Sequence, residues 1–321
     1  MQIVTADIGG THARFALADI ADDGRIALHS VVAQKTSQHA SLHMAWQAFA
    51  DSVGRDLPRR AAIAVACPVD ADVLQLTNNP WMIRPARLSS ELALDEVMLC
   101  NDIGAVAHSL SHLPDSAMCH VCGPDTALPR RGSISVLGAG TGLGAALVLR
   151  SEGHEHVIET EAGHIDFAPL DPLEDAMLRR LREKFRRVSV ERIVSGPGLR
   201  NIYESIAAIE DRPVRSLDDP AIWNAALDGS DSLAAAAFDR FCLCLGAVAG
   251  DIALAHGSQA VVLAGGICRR LEKLLGPSGF ASRFVSKGRF AQRMAAIGVK
   301  LIVDPQPGLL GAAAAFSKTH P

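Results

Sequence analysis

The chain has 321 residues, 49% of them hydrophobic and 21% charged, with a formal net charge of −4. That length supports one large or two medium domains with real cores. The weak negative charge argues against nucleic acid or an anionic membrane surface, and an aromatic content of 4% argues against stacking platforms for single strands.

Ile3 to Leu17, IVTADIGGTHARFAL, reads as strand, tight glycine turn, strand. Asp7 ends the first strand, and Gly9, Gly10 and Thr11 form the turn. Glycine lets backbone N–H groups come close to an anion, and a neighbouring hydroxyl adds a donor. A carboxylate beside them can hold a cation directly or through water. The set suits a nucleotide phosphate with its metal ion. Ile26 to Ala33 reads as a third strand, and Ser41 as the cap of a helix running to Val53. Arg59 to Val69 is a buried strand ended at Pro68. The polar cluster Thr77-Asn78-Asn79-Pro80 and Trp81 follow.

Val97 to Cys100 is another strand, and it runs straight into Asn101-Asp102. Ligands of parallel α/β sheets sit at the carboxyl ends of strands, so this pair is a site candidate. Asn and Asp are also good helix caps, and the two readings are compatible. Leu113 to Arg131 is rich in Pro, Gly and polar residues and reads as a crossover between domains.

Ser133 to Leu149 repeats the first pattern: an apolar run, Gly138, Gly140, Gly142 and Gly144 around Thr141, then a second apolar run. Two such units point to a duplicated architecture with a ligand between the halves. A P-loop is excluded, since no Gly is followed by Lys-Ser or Lys-Thr. The dinucleotide fingerprint is met loosely, but it needs a helix straight after the turn, and a strand stands there.

Further on, Glu161-Ala162-Gly163-His164 can converge a carboxylate and an imidazole on one small polar ligand. Glu191 lies one turn before Ser195-Gly196-Pro197-Gly198 and a helix. Arg215 to Asp231 reads as a polar surface excursion, and Leu233 to His256 as a long buried helix. A buried strand ends at Gly265-Gly266, Leu301 to Val303 is a last strand, and Pro307 to Phe316 is a closing apolar helix. The longest apolar run, Phe241 to Gly250, is too short to span a bilayer, and no signal-peptide pattern opens the chain. Seven cysteines sit mostly in apolar runs and read as reduced core residues; Cys119 and Cys122 form a lone CxxC. The order of elements is α/β, with two halves and a cleft.

ADIGGTHARFAL, ACPV, TNNPW, CNDIGAVA, GAGTGLG, EAGHIDFAP, SVERIVSGPGLRNIY, LAGGI and PGLLGAAAA, in that order, resemble the bacterial glucokinase family of the Escherichia type. The resemblance covers nearly the whole chain. It implies a two-domain actin-like ATPase (ribonuclease H-like) fold, with duplicated mixed sheets and an interdomain cleft. It implies a small domain over 1–110, completed by 302–321, and a large domain over 111–301. It implies transfer of phosphate from ATP, with Mg2+, to the 6-hydroxyl of glucose, in a cytoplasmic homodimer that binds no nucleic acid and no membrane. Asn101, Asp102, Glu161, His164 and Glu191 match the family's sugar ligands, with Asp102 as catalytic base. Asp7, Gly9, Gly10 and Thr11 match the first phosphate loop, with Asp7 toward the metal. Gly138, Gly140, Thr141 and Gly142 match the second loop, and Gly265 and Gly266 the adenosine motif.

Three positions depart from that pattern: His12 stands for Asn, Asn79 for His and Ala162 for Gly. His12 either adds a pH-dependent charge beside the phosphates or merely replaces Asn as a donor in the turn. Three other readings are a kinase of another hexose or amino sugar, a non-catalytic sensor of the same fold, and a filament-forming ATPase. Asp102 argues against the sensor, and the Glu161–His164 turn against the filament protein.

Overall fold

Alternation builds the first sheet. In β1 (Gln2–Ile8), Val4, Ala6 and Ile8 face one core, while Ile3 faces another. β1 pairs antiparallel with β2 (His12–Ile20), which pairs antiparallel with β3 (Ile26–Lys35). On its other side β1 runs parallel to β4 (Arg60–Val65). The structure, a computed structural model, describes residues 1–76 and 79–319. Thr77 and Asn78 of the TNNPW stretch, and the last two residues, lie outside the described residues.

The chain divides into two compact units, Met1–Ala117 with Asp304–Pro321, and Met118–Val303. In the first unit, helix α1 (Leu42–Val53) is capped by Ser41, whose Oγ accepts from Met44 N at 3.3 Å. It packs Trp46 and Phe49 on Phe15, with ring centroids 6.2 and 5.4 Å away. A two-stranded ribbon, β5 (Leu74–Gln75) and β6 (Met82–Ile83), precedes helix α2 (Pro85–Glu91). β7 (Glu96–Asn101) then joins β4 in parallel and gives way at once to helix α3 (Asp102–Ser109). Sheet order is β3-β2-β1-β4-β7.

The chain's last helix, Pro307–Thr319, returns to this unit and covers the second face of the sheet, against α3. Its small side chains permit a close approach: Ala312 and Ala313 meet Ile3, Ala62, Ala64 and Ala105 in one buried cluster. At Gly311 the approach is closest, since a Cβ there would stand 1.6 Å from Ala105 O. Buried Thr5 donates its hydroxyl to Leu309 O at 2.8 Å and fixes the helix along β1.

The second unit repeats the plan. β8 (Met118–Cys122) is an edge strand within the stretch read as a crossover between domains, where no strand was expected. β9 (Gly132–Ala139), β10 (Leu143–Ser151) and β11 (His154–Thr160) form the antiparallel meander, and β12 (Ala260–Ala264) and β13 (Gly298–Ile302) extend it in parallel. The order is β11-β10-β9-β12-β13-β8. In both sheets, then, a three-stranded antiparallel meander continues into parallel strands.

One face of the second sheet carries the larger core. Helices α4 (Pro172–Phe185), α5 (Gly196–Ile209), α6 (Asp219–Asp228) and α7 (Ser232–Ala255) belong to it. The chain between them is not all surface. The excursion expected over Arg215 to Asp231 folds as α6 and buries Ile222 and Trp223. The period of its apolar residues was hidden by the aspartates at both ends, of which Asp218 is a cap. α7 is long and apolar enough to cross a membrane, yet most of it is buried in this unit, so it is a core helix. Helix α8 (Gly265–Arg270) follows β12, and α9 (Phe280–Val285) and α10 (Ala291–Ala295) complete the unit. A buried ionic cluster joins α4, α7 and α9. Glu174, 2% exposed, takes Arg240 Nη1 at 2.7 Å and Arg283 Nη2 at 3.3 Å, and Asp171 takes both guanidiniums as well. All seven cysteines are free thiols. Burial pushes Cys122 up to about 11 and Cys242 and Cys268 up to about 12, which suits inert core residues.

Alanine for glycine inside an exposed helix normally stabilises by about 1 kcal/mol. Gly311→Ala is expected to do the reverse, at a cost of roughly 1–3 kcal/mol, because the carbonyl it meets is backbone and cannot rotate away. Urea denaturation checks this, and a variant as stable as the parent would mean that the last helix stands clear of α3.

Candidate active site

Each unit carries one glycine turn at the carboxyl end of its central strand. In the first, between β1 and β2, the carbonyls are all tied back. Gly9 O accepts from Asn79 Nδ2 at 3.2 Å, Gly10 O from Thr36 Oγ1 at 2.9 Å, and Thr11 O from Thr36 N at 3.0 Å. Gly9 N–H donates to His12 O at 2.9 Å. Among the described residues nothing accepts the N–H of Gly10 or of Thr11. A turn that turns its acceptors inward and leaves its donors open is a cradle for an anion.

The second turn, between β9 and β10, is built alike from different anchors. Gly140 N–H donates to Gly142 O, and Gly140 O accepts from Gly196 N at 2.8 Å at the start of α5. Leu143 N–H donates to Glu191 Oε2 at 2.9 Å. The N–H groups of Thr141 and Gly142 have no acceptor among the described residues. Gly265, with φ at +92°, lets α8 begin against Ala139 O, where a side chain would clash at 2.4 Å. So Gly138, Gly140, Thr141, Gly142, Gly265 and Gly266 gather at the carboxyl ends of the parallel strands β9 and β12.

Asp7 lies beside the first turn. Hairpin register sets it opposite Arg14, and Arg14 Nη1 stands 3.2 Å from its Oδ2. The last helix begins against it: a Cβ on Gly308 would be 2.9 Å from the same oxygen. Burial pushes the Asp7 carboxyl above its usual range, and Arg14 opposes this. Sequence reasoning missed Arg14 and Gly308. The hairpin pattern could have found Arg14, because the pair Ile8 and Ala13 is flanked by Asp7 and Arg14.

Asn101 and Asp102 stand on the same edge of the first sheet, at the end of β7, parallel to β4 and β1. Asn101 caps α3: its Oδ1 accepts from Ile103 N at 3.0 Å and Gly104 N at 3.3 Å, and its Nδ2 donates to Cys67 O. The cap reading therefore holds for Asn101, and the cap fixes where Asp102 starts the helix. Asp102 Oδ1 accepts from Ile103 N at 2.8 Å. Burial and the nearby Asp102 carboxylate push the Cys67 thiol up.

In the second unit Glu161 opens a single turn, Ala162–His164, and both its ends are exposed. Its Oε2 is 3.7 Å from His164 Nε2. Arg187 holds the turn, donating to His164 O at 2.7 Å and pairing with Asp166 at 2.8 Å. Residues 165–167 also pair with 188–190 through Val190 N to Ile165 O and Phe167 N to Val188 O, both 2.9 Å. That lacing brings Glu191 to the turn and to Leu143. Among the described residues no three His, Cys, Asp or Glu side chains form a metal cluster.

The sequence profile of the glucokinase family matches residues 4–319. The chain belongs to the glucokinase family. It is 58% identical over 320 residues to a glucokinase of Zymomonas mobilis, covering all of this chain and 99% of that one. The crystal structure of a glucokinase from an Antarctic psychrotroph superposes with a TM-score of 0.84 at 32% identity, over 99% of both chains. A ROK family glucokinase from Streptomyces griseus, solved in complex with glucose and AMPPNP, shares the fold at a TM-score of 0.66 and 21% identity, over 98% of this chain and 99% of that one. The fold is that of the actin-like ATPase sugar kinases.

Two of the departures from the glucokinase pattern have visible consequences. Asn79 is buried; it braces the first turn through Gly9 O and accepts from Trp81 N at 2.9 Å. Ala162 is tolerated because the crowded position of its turn is the next one, Gly163, which lies against Leu143 O. The third, His12, is exposed. Partial burial pushes its imidazole below the ordinary 6.5, and the charges of Arg14 and Lys35 push the same way. The neutral ring therefore dominates through neutral pH, which favours the donor reading over the charged one. His12→Asn is expected to leave the pH profile of the Michaelis constant for ATP unchanged between about pH 6.5 and 8. A wild-type constant that rises across that range while the variant's stays flat would assign the ring a charge there.

Proposed function

We propose that this chain transfers the γ-phosphoryl group of ATP to the 6-hydroxyl of glucose, giving glucose 6-phosphate and ADP. The observation that carries the reading is the pair of glycine turns with open amides, in a chain of the glucokinase family whose strand-end Asp102 is retained. Phosphoryl transfer asks for positioning and charge neutralisation more than for covalent chemistry. The amides of Gly10, Thr11, Thr141 and Gly142 supply donors for phosphate oxygens, and Gly265 and Gly266 border the adenosine end. No lysine is required for that. Asp102 accepts the proton of the attacking hydroxyl. Asn101, Glu161, His164 and Glu191 read the ring hydroxyls, each of which is both donor and acceptor.

Magnesium fits this donor set. It uses one or two carboxylates and otherwise phosphate oxygens and water, and so needs no protein cage. Asp7 is the residue that would hold it, directly or through water, and the ion supplies neutralisation of phosphate charge when bound. We further infer a cytoplasmic homodimer, a reading that the family resemblance supports and that sedimentation velocity tests.

Asp102→Ala is expected to lower kcat by about 10²–10⁴-fold with any sugar. Glucose binding, followed by calorimetry, is expected to survive, since the other hydroxyl ligands remain. Near-normal turnover would remove Asp102 from the role of base. A coupled assay across glucose, mannose, fructose and glucosamine tests the substrate, and turnover of another sugar in preference to glucose would overturn the reading.

A further inference from the structure

The two backbone groups of one residue in the second domain, its N–H and its C=O, each meet one of the groups assigned to the sugar. Leu143 is the residue at which the second glycine turn re-enters β10. Its N–H donates to Glu191 Oε2 at 2.9 Å. The same carboxylate lies against the turn itself, since a Cβ on Gly142 would stand 2.4 Å from Oε2. The Leu143 carbonyl is pressed by the other sugar element: a Cβ on Gly163 would be 2.0 Å from Leu143 O. Thus Glu191 grips Leu143 from its amide side and the Glu161–His164 turn from its carbonyl side. The open N–H of Gly142 is the very next donor along the chain.

We propose that this clamp on Leu143 couples sugar to nucleotide, with Glu191 acting as a positioning residue for the second phosphate turn as well as a sugar ligand. The proposal rests on the reading of residues 138–144 as a phosphate turn and of Glu191 as a ligand of the sugar ring. A carboxylate can accept up to four hydrogen bonds, so one oxygen can hold the Leu143 amide while the other meets a hydroxyl. Before sugar arrives, the amide orients Glu191. Once sugar is bound, Glu191 and the 161–164 turn are both fixed, and with them the direction in which Gly142 N–H points. Such coupling is reciprocal: whatever glucose adds to nucleotide affinity, nucleotide adds to glucose affinity.

The decisive measurement is nucleotide affinity with no sugar present, because a residue that only binds sugar cannot alter it. AMPPNP with magnesium is titrated into the full-length wild type, Glu191→Ala, Glu191→Gln, Gly142→Ala and the Glu191→Ala/Gly142→Ala double variant. The expected result is a loss of about tenfold in Glu191→Ala, the scale of a charge-assisted hydrogen bond, with partial rescue in Glu191→Gln, whose amide oxygen still accepts. Gly142→Ala displaces the carboxylate while leaving it present, and is expected to weaken AMPPNP in the same way. The double variant is expected to be no weaker than the worse single one, since both act through one contact. With glucose saturating, wild type is expected to bind AMPPNP at least about fivefold more tightly, and that gain is expected to shrink in Glu191→Ala.

Sugar-free AMPPNP affinity that is equal in wild type and Glu191→Ala overturns the clamp and leaves the sugar-ligand reading standing. A wild type that binds no AMPPNP overturns the phosphate-turn reading and the clamp with it. Glu191→Gln keeps size and shape, so a comparison of it with Gly142→Ala decides the matter even where Glu191→Ala does not fold.

Discussion

A backbone N–H that finds no acceptor inside the chain has to find one outside it. This hydrogen-bond accounting, at two hairpin turns, is what the rest of the structure serves. In the first unit Thr36, at the end of β3, and Asn79, beyond the small ribbon's first strand, take up the turn's carbonyls. In the second, one continuous segment at the start of α5 anchors the turn: Gly196 N–H takes up the carbonyl of Gly140, and the Glu191 carboxylate accepts the N–H of Leu143. The anchors are unrelated in sequence and in distance along the chain, yet both leave a pair of adjacent donors open. A duplicated sheet has thus kept the electrostatic character of its turns while replacing the side chains that enforce it.

The parts of this design that are local were legible in the sequence. Glycines between two apolar runs mark a turn whatever the tertiary context, and Asn-Asp between a strand and a helix marks a cap at a strand end. The parts that depend on distant partners were not. Glu191 could be picked out as a polar residue near a helix start, but its bond to Leu143 spans 48 residues and carries no local signal. β8 was hidden in a stretch of prolines and glycines because its pairing with β13 comes from the far end of the unit. α6 was hidden because aspartates stand at both its ends within a polar stretch, whereas burial of Trp223 depends on packing against Phe241, 5.1 Å away on α7. Arg14 lies between these cases. Its pairing with Asp7 follows from hairpin register alone, once the turn is placed.

Asn101 shows how a cap and a proposed sugar ligand can be one residue without conflict. Its side-chain oxygen is spent on the first amides of α3, and its amide on Cys67 O. Those bonds fix the point at which strand becomes helix, and therefore the position of Asp102. A carboxylate on the first residue of a helix also lies where the open N–H groups favour negative charge. The local rule that places a polar residue at a helix start is, at this strand end, the rule that holds the proposed base still.

The last helix carries the same logic across the whole length of the chain. Glycine at 311 and alanines at 312 and 313 let it approach α3 and β4 closely, and Thr5 ties it to β1 through Leu309 O. Because the helix is held that near, its first turn starts against Asp7, some three hundred residues earlier in sequence. Asp7 then sits among opposed influences: removal from water, which disfavours its charge, against Arg14 and a helix N-terminus, which favour it. A carboxylate in solvent would keep its charge without help but not its direction. Here Arg14 and the helix start stand on two sides of the carboxylate and fix its direction while opposing the effect of burial, and the small residues that close the fold are the reason the second of those partners is in reach.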